Sequence, residues 1–186
     1  SLKARPVAMA VFGAILAASS LSASAFQQPG KIVAGSDMTF FPYEYMEKNK
    51  PAGFDIEFLD GLAKVMGMTA ENIDTRFPNL ISGLQAGRFD ITNSSMYITA
   101  DRMKVIDMVP YLKSGESILA VKGSAYQPKT PEEFCGHKIG SMGATSWLQQ
   151  LQKLSAEYCV KNGLQPIAIS EYGTDPQTTQ AMLAHA

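Results

Sequence analysis

A guanidinium, two aromatic rings, a carboxylate and a set of hydroxyls recur along this chain where chemistry is easiest to build. Arg102 carries a planar fork of donors that can hold a carboxylate through two parallel hydrogen bonds. Asp37 can take an ammonium, an amide or a guanidinium. Phe40 and Phe77 can enclose an apolar stem or stack on a planar group. The backbone and hydroxyls around Ser95 and Tyr97 suit an α-ammonium. Backbone N–H groups from Gly143 to Thr145, at a predicted helix start, suit an anion. Each has an ordinary use by itself: Arg102 lies in the charged stretch ADRMK, the phenylalanines fit a core, and Asp37 fits a turn. Their order along the chain is what points to one site. For acid–base work the nearby candidates are Asp37, Glu44 and Asp101. No histidine lies close to them in sequence, and no Ser–His–Asp order is visible.

The elements that must position these groups alternate between strand and helix. Lys31–Ser36 (KIVAGS) reads as the first strand, 40–46 as an aromatic extended piece, and 49–53 as a turn. Apolar residues at 56, 58, 59, 62, 63, 65 and 66 predict an amphipathic helix over 55–66, stopped by Gly67. A second strand is predicted over 72–77, and then a helix through Leu80, Ile81, Leu84 and Gln85, capped by Asn79 and stopped by Gly87. Next come a strand over 90–95, a short helix over 99–105 capped by Thr99, and a strand over 117–122. Residues 123–131 are polar and proline-bearing, and read as a linker. The pattern then restarts, with a strand at Lys138–Met142, a helix over 144–158, a strand over 166–170 and a helix from Pro176 onward. This order predicts a mostly parallel α/β architecture in two units. In such sheets ligands bind at the carboxyl ends of strands, and the groups above fall there.

Composition narrows the function classes. The 186 residues are 46% hydrophobic and 18% charged, with a net charge of −1, which argues against a nucleic-acid binder. Lys3 and Arg5, the apolar run 7–21 and the small-residue site Ala23-Ser24-Ala25 predict a cleavable secretory signal over 1–25. Export makes a disulfide the expected state of Cys135 and Cys159. By loop entropy it contributes about 3 kcal/mol. With His137 and His185 the only histidines and no C-x-x-C spacing, no metal site is expected.

Three stretches carry a family resemblance: GSDMTFFPYEYMEKNKPAGFDIEFLDGLAKVMG, FPNLISGLQAGRFDITNSSMYITADRMKVIDMVPYLKSG and CGHKIGSMGATSWLQ. They resemble the periplasmic amino-acid-binding proteins of ABC transporters, extracellular solute-binding family 3. The resemblance implies a two-lobed α/β periplasmic-binding-protein fold, type II-like, with the first lobe over 26–122 and a linker with part of the second lobe over 123–186. The chain stops at Ala186 in mid-helix and is expected to be the first two thirds of a longer protein. The resemblance implies ligand contacts from Asp37, Phe40, Phe77, Ser95, Tyr97, Arg102 and Thr145, with Arg102 as carboxylate clamp. Three departures concern the pocket: Ser95 and Ala144 stand where glycine is usual, and the bulky Tyr97 stands where a small hydroxyl residue is usual. The implied protein is a periplasmic monomer with no cofactor. It captures an amino acid by closing two lobes and hands it to a membrane permease. The alternatives are a cyclohexadienyl-dehydratase-like enzyme or the sensing domain of a receptor.

Overall fold

The computed structural model describes residues 25–184. The predicted leader, with Lys3, Arg5, the run 7–21 and all of the cleavage motif except Ala25, lies outside them, as does His185.

β1 (Lys31–Ser36) is the spine of the first sheet, and five of its six residues are buried. Its side chains alternate between faces, as a strand's must. Ile32 and Ala34 pack with Leu59 and Ala63 of the first helix, while Val33 packs with Leu80 and Phe89 on the other face. Gly35 leaves room for the Phe89 ring, whose carbons would lie 2.5–2.7 Å from any Cβ placed there.

β2 (Thr39–Phe40), β3 (Glu44–Glu47) and β4 (Lys50–Ala52) form a small antiparallel sheet. The turn expected over 49–53 is tighter than expected. Glu47 pairs with Lys50, and the loop is Lys48-Asn49, both at positive φ, as two-residue hairpins require. Residues 50–52 are therefore strand. α1 (Phe54–Val65) follows, with Ile56, Leu59 and Ala63 buried. Phe58, Leu62, Val65 and Met66, predicted on the same apolar face, are exposed.

β5 (Thr69–Asp74) pairs in parallel with all of β1. It ends earlier than the predicted 72–77, because Pro78 restrains Phe77 and has no N–H for a ladder. Phe77–Asn79 instead make a 3-10 turn into α2 (Leu80–Gln85). That turn replaces the expected Asn79 cap, whose side chain makes no cap bond. β6 (Ile91–Thr92) flanks β1 on its other side and is much shorter than the predicted 90–95. Asp90 spends its carboxylate on the N–H groups of Gln27 and Val33, and Ser94 and Ser95 turn to other side chains. α3 (Ala100–Met103) is capped by Thr99 as expected, its hydroxyl accepting from the Arg102 N–H.

The strand expected over 117–122 does not form. No sheet among the described residues includes it, and a strand cannot satisfy its backbone alone. Ile118 and Leu119 are exposed.

The second unit has β7 (Lys138–Met142), α4 (Ser146–Leu154), β8 (Ala168–Tyr172) and α5 (Asp175–Leu183), with β7 and β8 parallel. α4 begins two residues later than predicted because Thr145 is its cap: the hydroxyl accepts from the Leu148 N–H. α4 ends at Leu154 in a wide turn over Ser155–Cys159. There the predicted Cys135–Cys159 disulfide is formed, and Cys159 packs with Phe134 and Ile167.

Candidate ligand-binding cleft

The carboxyl ends of β1 and β6 face the end of β7 and the start of α4. Between them lies a small cavity of about 30 Å³. Asp37, Phe40, Phe77, Ser95, Tyr97, Arg102 and Thr145 all line it, so one space collects residues that are spread from 37 to 145 in sequence.

Arg102 spans the cleft. Its Nη1 donates to the Tyr97 carbonyl at 2.7 Å, and its Nη2 donates across to the Ala144 carbonyl at 3.1 Å. The guanidinium carbon lies 5.5 Å from the Phe77 ring centre, which favours a cation over the π face. Both acceptors are neutral carbonyls, and among the described residues no carboxylate pairs with Arg102. Burial lowers its pKa accordingly. A half-buried cation without a counter-charge is what an anion site requires.

Three other predicted residues use their polar groups inward. Asp37 accepts from Arg76, Thr39 and the Phe77 N–H. The Ser95 N–H and hydroxyl both donate to Asp55 at 2.8 Å. The Thr145 hydroxyl donates to the Met142 carbonyl and accepts from Leu148, so its one proton is spent and only its backbone N–H can donate to a ligand carboxylate. Gly143 departs from the expected anion-binding set, because its N–H donates to the Tyr172 carbonyl at 2.9 Å. The free amides therefore begin at Ala144.

Ser95 and Ala144 have φ of 43° and 58°. Both backbones are left-handed, the conformation that glycine adopts without cost and other residues adopt at about 1 kcal/mol or more. This is the physical meaning of the two departures from glycine. Ser95 recovers part of the cost through its bonds to Asp55.

Six further residues line the cavity: Thr39, Glu44, Ser94, Met142, Ser146 and Trp147. Thr39 and the lone tryptophan were not singled out from the sequence; for Trp147, its place directly inside a helix cap was the available signal. Phe40 stacks on Tyr43 and leans on Trp147 at 6.0 Å, while Tyr97 meets Trp147 edge-on at 6.2 Å. Tyr97 thus fills space with a ring, and its hydroxyl leaves the site to donate to the Gly115 carbonyl.

Glu44 is fully buried, and Ser94 donates to its Oε1 at 2.6 Å. Its pKa is pushed up to about 10, chiefly by burial and further by Asp55 and Asp37, against the lowering effect of Ser94. Its Oε2 lacks a partner only as a carboxylate. Protonated, it donates to Asp55. Tyr111 donates to the other oxygen of Asp55 at 2.9 Å, and burial raises its own pKa. Two buried polar atoms on the cavity wall then remain unpaired, Ser146 Oγ and Trp147 Nε1. Each costs about 1–3 kcal/mol when left so. Among the described residues no group of three His, Cys, Asp or Glu side chains could hold a metal.

Residues 32–168 match the family model for bacterial extracellular solute-binding proteins, family 3. The chain belongs to that family. The L-cystine-binding protein TcyJ of Escherichia coli K12 is 26% identical over 156 residues, a match covering 83% of this chain and 55% of TcyJ. The arginine-binding extracellular protein ArtP of Bacillus subtilis 168 is 28% identical, with 83% of this chain and 60% of ArtP covered. The chain thus spans little more than half the length of these family members. An ancestral arginine-binding protein bound to arginine superimposes with a TM-score of 0.75 at 26% identity, covering 84% of this chain and 66% of that one. An ancestral amino-acid-binding protein described as a precursor of cyclohexadienyl dehydratase gives 0.71 at 29% identity, covering 83% and 66%. The family fold is the two-lobed periplasmic-binding-protein architecture, and the parallel sheets here belong to it. The relatives named are mostly binding proteins rather than enzymes.

Proposed function

We propose that the protein is the solute-binding component of an ABC uptake system, taking an α-amino acid between two lobes and delivering it to a membrane permease. The observation that carries this reading is the position of Arg102. Among the described residues its guanidinium lacks an acidic partner, and it sits across the cleft from the amides that open α4. Residues 26–122 form the first lobe, and 123–186 contribute a linker and part of the second. Asp37, Phe40, Phe77, Ser95, Tyr97, Arg102 and Thr145 shape the ligand site. Arg102 and the free amides contact the ligand carboxylate, and the Phe40 and Phe77 rings form walls.

The mechanism is hinge closure. A cavity of about 30 Å³ holds roughly two waters and no amino acid. A ligand must therefore separate the lobes, displace the Arg102–Ala144 bond and then draw the lobes together with its own carboxylate. The ligand shifts the equilibrium by its differential affinity for the two states. The work is done in the periplasm, a reading that the predicted leader supports, by a monomer without cofactor. Glu44 is a protonated acid on the cavity wall, which keeps a dehydratase-like reading in view. Its proton is committed to Asp55, however, which favours binding without turnover.

The test is a thermal-shift screen of the full-length protein against the standard amino acids, repeated with Arg102→Ala. At least one amino acid should raise Tm, because a ligand bound to the folded state stabilises it by mass action. Arg102→Ala should weaken that ligand by about 2–5 kcal/mol. A protein stabilised by no amino acid, or an Arg102→Ala variant with undiminished affinity, would refute the proposal.

A further inference from the structure

Asp37 lies on the cavity wall and is 1% exposed. A bare carboxylate in such a place would need a cation, and the side chain of a basic ligand would be the natural source. This chain supplies its own. Arg76 Nη1 donates to Asp37 Oδ1 at 2.7 Å. The Thr39 hydroxyl adds a bond to the same oxygen at 2.7 Å, and the Phe77 N–H caps Oδ2 at 2.8 Å. Arg76 Nη2 bonds Asp74 as well, so the guanidinium is pinned between two carboxylates. Arg76 itself does not line the cavity and reaches Asp37 from the solvent side.

The other acidic groups around this wall are also engaged. Asp55, on α1, is held by Ser95 and Tyr111. Glu44, on β3, is neutral through burial and shares its proton with Asp55. The charge left over in the cavity is that of Arg102.

We propose that Arg76 sets the ligand specificity of the cleft: by neutralising Asp37 from behind, it withholds the partner a basic side chain would need and tunes the site to amino acids with uncharged side chains. The proposal rests on the amino-acid-binding reading above. An arginine or lysine side chain would bring a second cation beside Arg102 and find both acidic groups of the cavity wall, Asp37 and Glu44, already engaged. A side chain with a neutral acceptor would instead meet the unpaired donor of Trp147. Arg76 acts through Asp37 and is a positioning residue. The proposal separates this chain from those relatives whose names declare arginine binding.

Calorimetric titration of the full-length protein with L-arginine and with each uncharged amino acid tests it, for the wild type, Arg76→Gln and Arg76→Lys. The wild type should bind its tightest uncharged amino acid at least about 10-fold better than L-arginine, because like-charge placement is costly. Arg76→Gln frees Asp37 and should shift that ratio about 10-fold or more toward L-arginine. Arg76→Lys retains the neutralising charge and should keep the wild-type ratio, which a purely structural role for Arg76 would not predict. A wild type that prefers L-arginine, or a folded Arg76→Gln with an unmoved ratio, overturns the proposal and leaves the uptake reading standing. If Arg76→Gln fails to fold, the wild-type preference and the Arg76→Lys ratio still decide. If no amino acid binds the wild type at all, the uptake reading falls and this inference falls with it.

Discussion

Replacing Glu44 by glutamine should change how stability depends on pH. In the fold Glu44 is buried among Ser94, Asp55 and Asp37 and holds its proton up to about pH 10, against an ordinary value of 4.5. Between those limits the unfolded chain has released a proton that the folded chain retains. The unfolded state binds fewer protons, so stability falls as pH rises across this window. Glu44's contribution is complete below about pH 4.5 and is lost progressively toward pH 10. One proton corresponds to a slope of about 1.4 kcal/mol per pH unit. Glutamine keeps an oxygen for the Ser94 hydroxyl, which donates at 2.6 Å, and offers an N–H to Asp55 in place of the carboxyl proton. It has nothing to titrate. Urea unfolding of wild type and Glu44→Gln over about three pH units around neutrality isolates the effect, because every other group is common to both proteins. The variant should gain on the wild type by about 4 kcal/mol across that range. Parallel stability curves would show that Glu44 is ionised in the fold and would refute the account of the shared proton.

Two further outcomes follow from packing and covalent structure. Gly35→Ala would place a Cβ 2.5 Å from the Phe89 ring, which is also flanked by Gly83. Overpacking of this kind should cost about 1–3 kcal/mol in denaturant unfolding, and Phe89→Leu in the same chain should recover part of it; strict additivity of the two changes would argue against the clash. Replacing both Cys135 and Cys159 by alanine opens a loop closed over a separation of 24 residues. Stability should drop by about 3 kcal/mol, and the wild type in reductant should melt near the double variant. A melting temperature indifferent to reductant would contradict a stabilising disulfide.

Much of this protein could be read from its residues in order. The strand Lys31–Ser36, the helix over Phe54–Val65, the Thr99 cap and the strand Lys138–Met142 were legible because they depend on local periodicity and on hydroxyl or glycine signals within a turn of the chain. The disulfide was legible from the cysteine count in a chain expected to be exported. The strand expected over 117–122 misled because local propensity says nothing about whether a partner strand exists.

The seven residues named for the site share one cavity, and their order along the chain was enough to bring them to attention. What each does there depends on neighbours remote in sequence, and only the tertiary structure decided it. Asp37 meets Arg76 across a separation of 39 residues, and Arg102 meets Ala144 across 42. Glu44 keeps its proton because burial takes it away from water and Asp55 and Asp37 are folded near it, which together outweigh the Ser94 bond. Residue types and spacing determine which groups can carry charge and donate hydrogen bonds. Whether a charge is bare, paired or protonated is set by desolvation and by neighbours at hydrogen-bonding distance, and these exist only once the sheets and helices have packed.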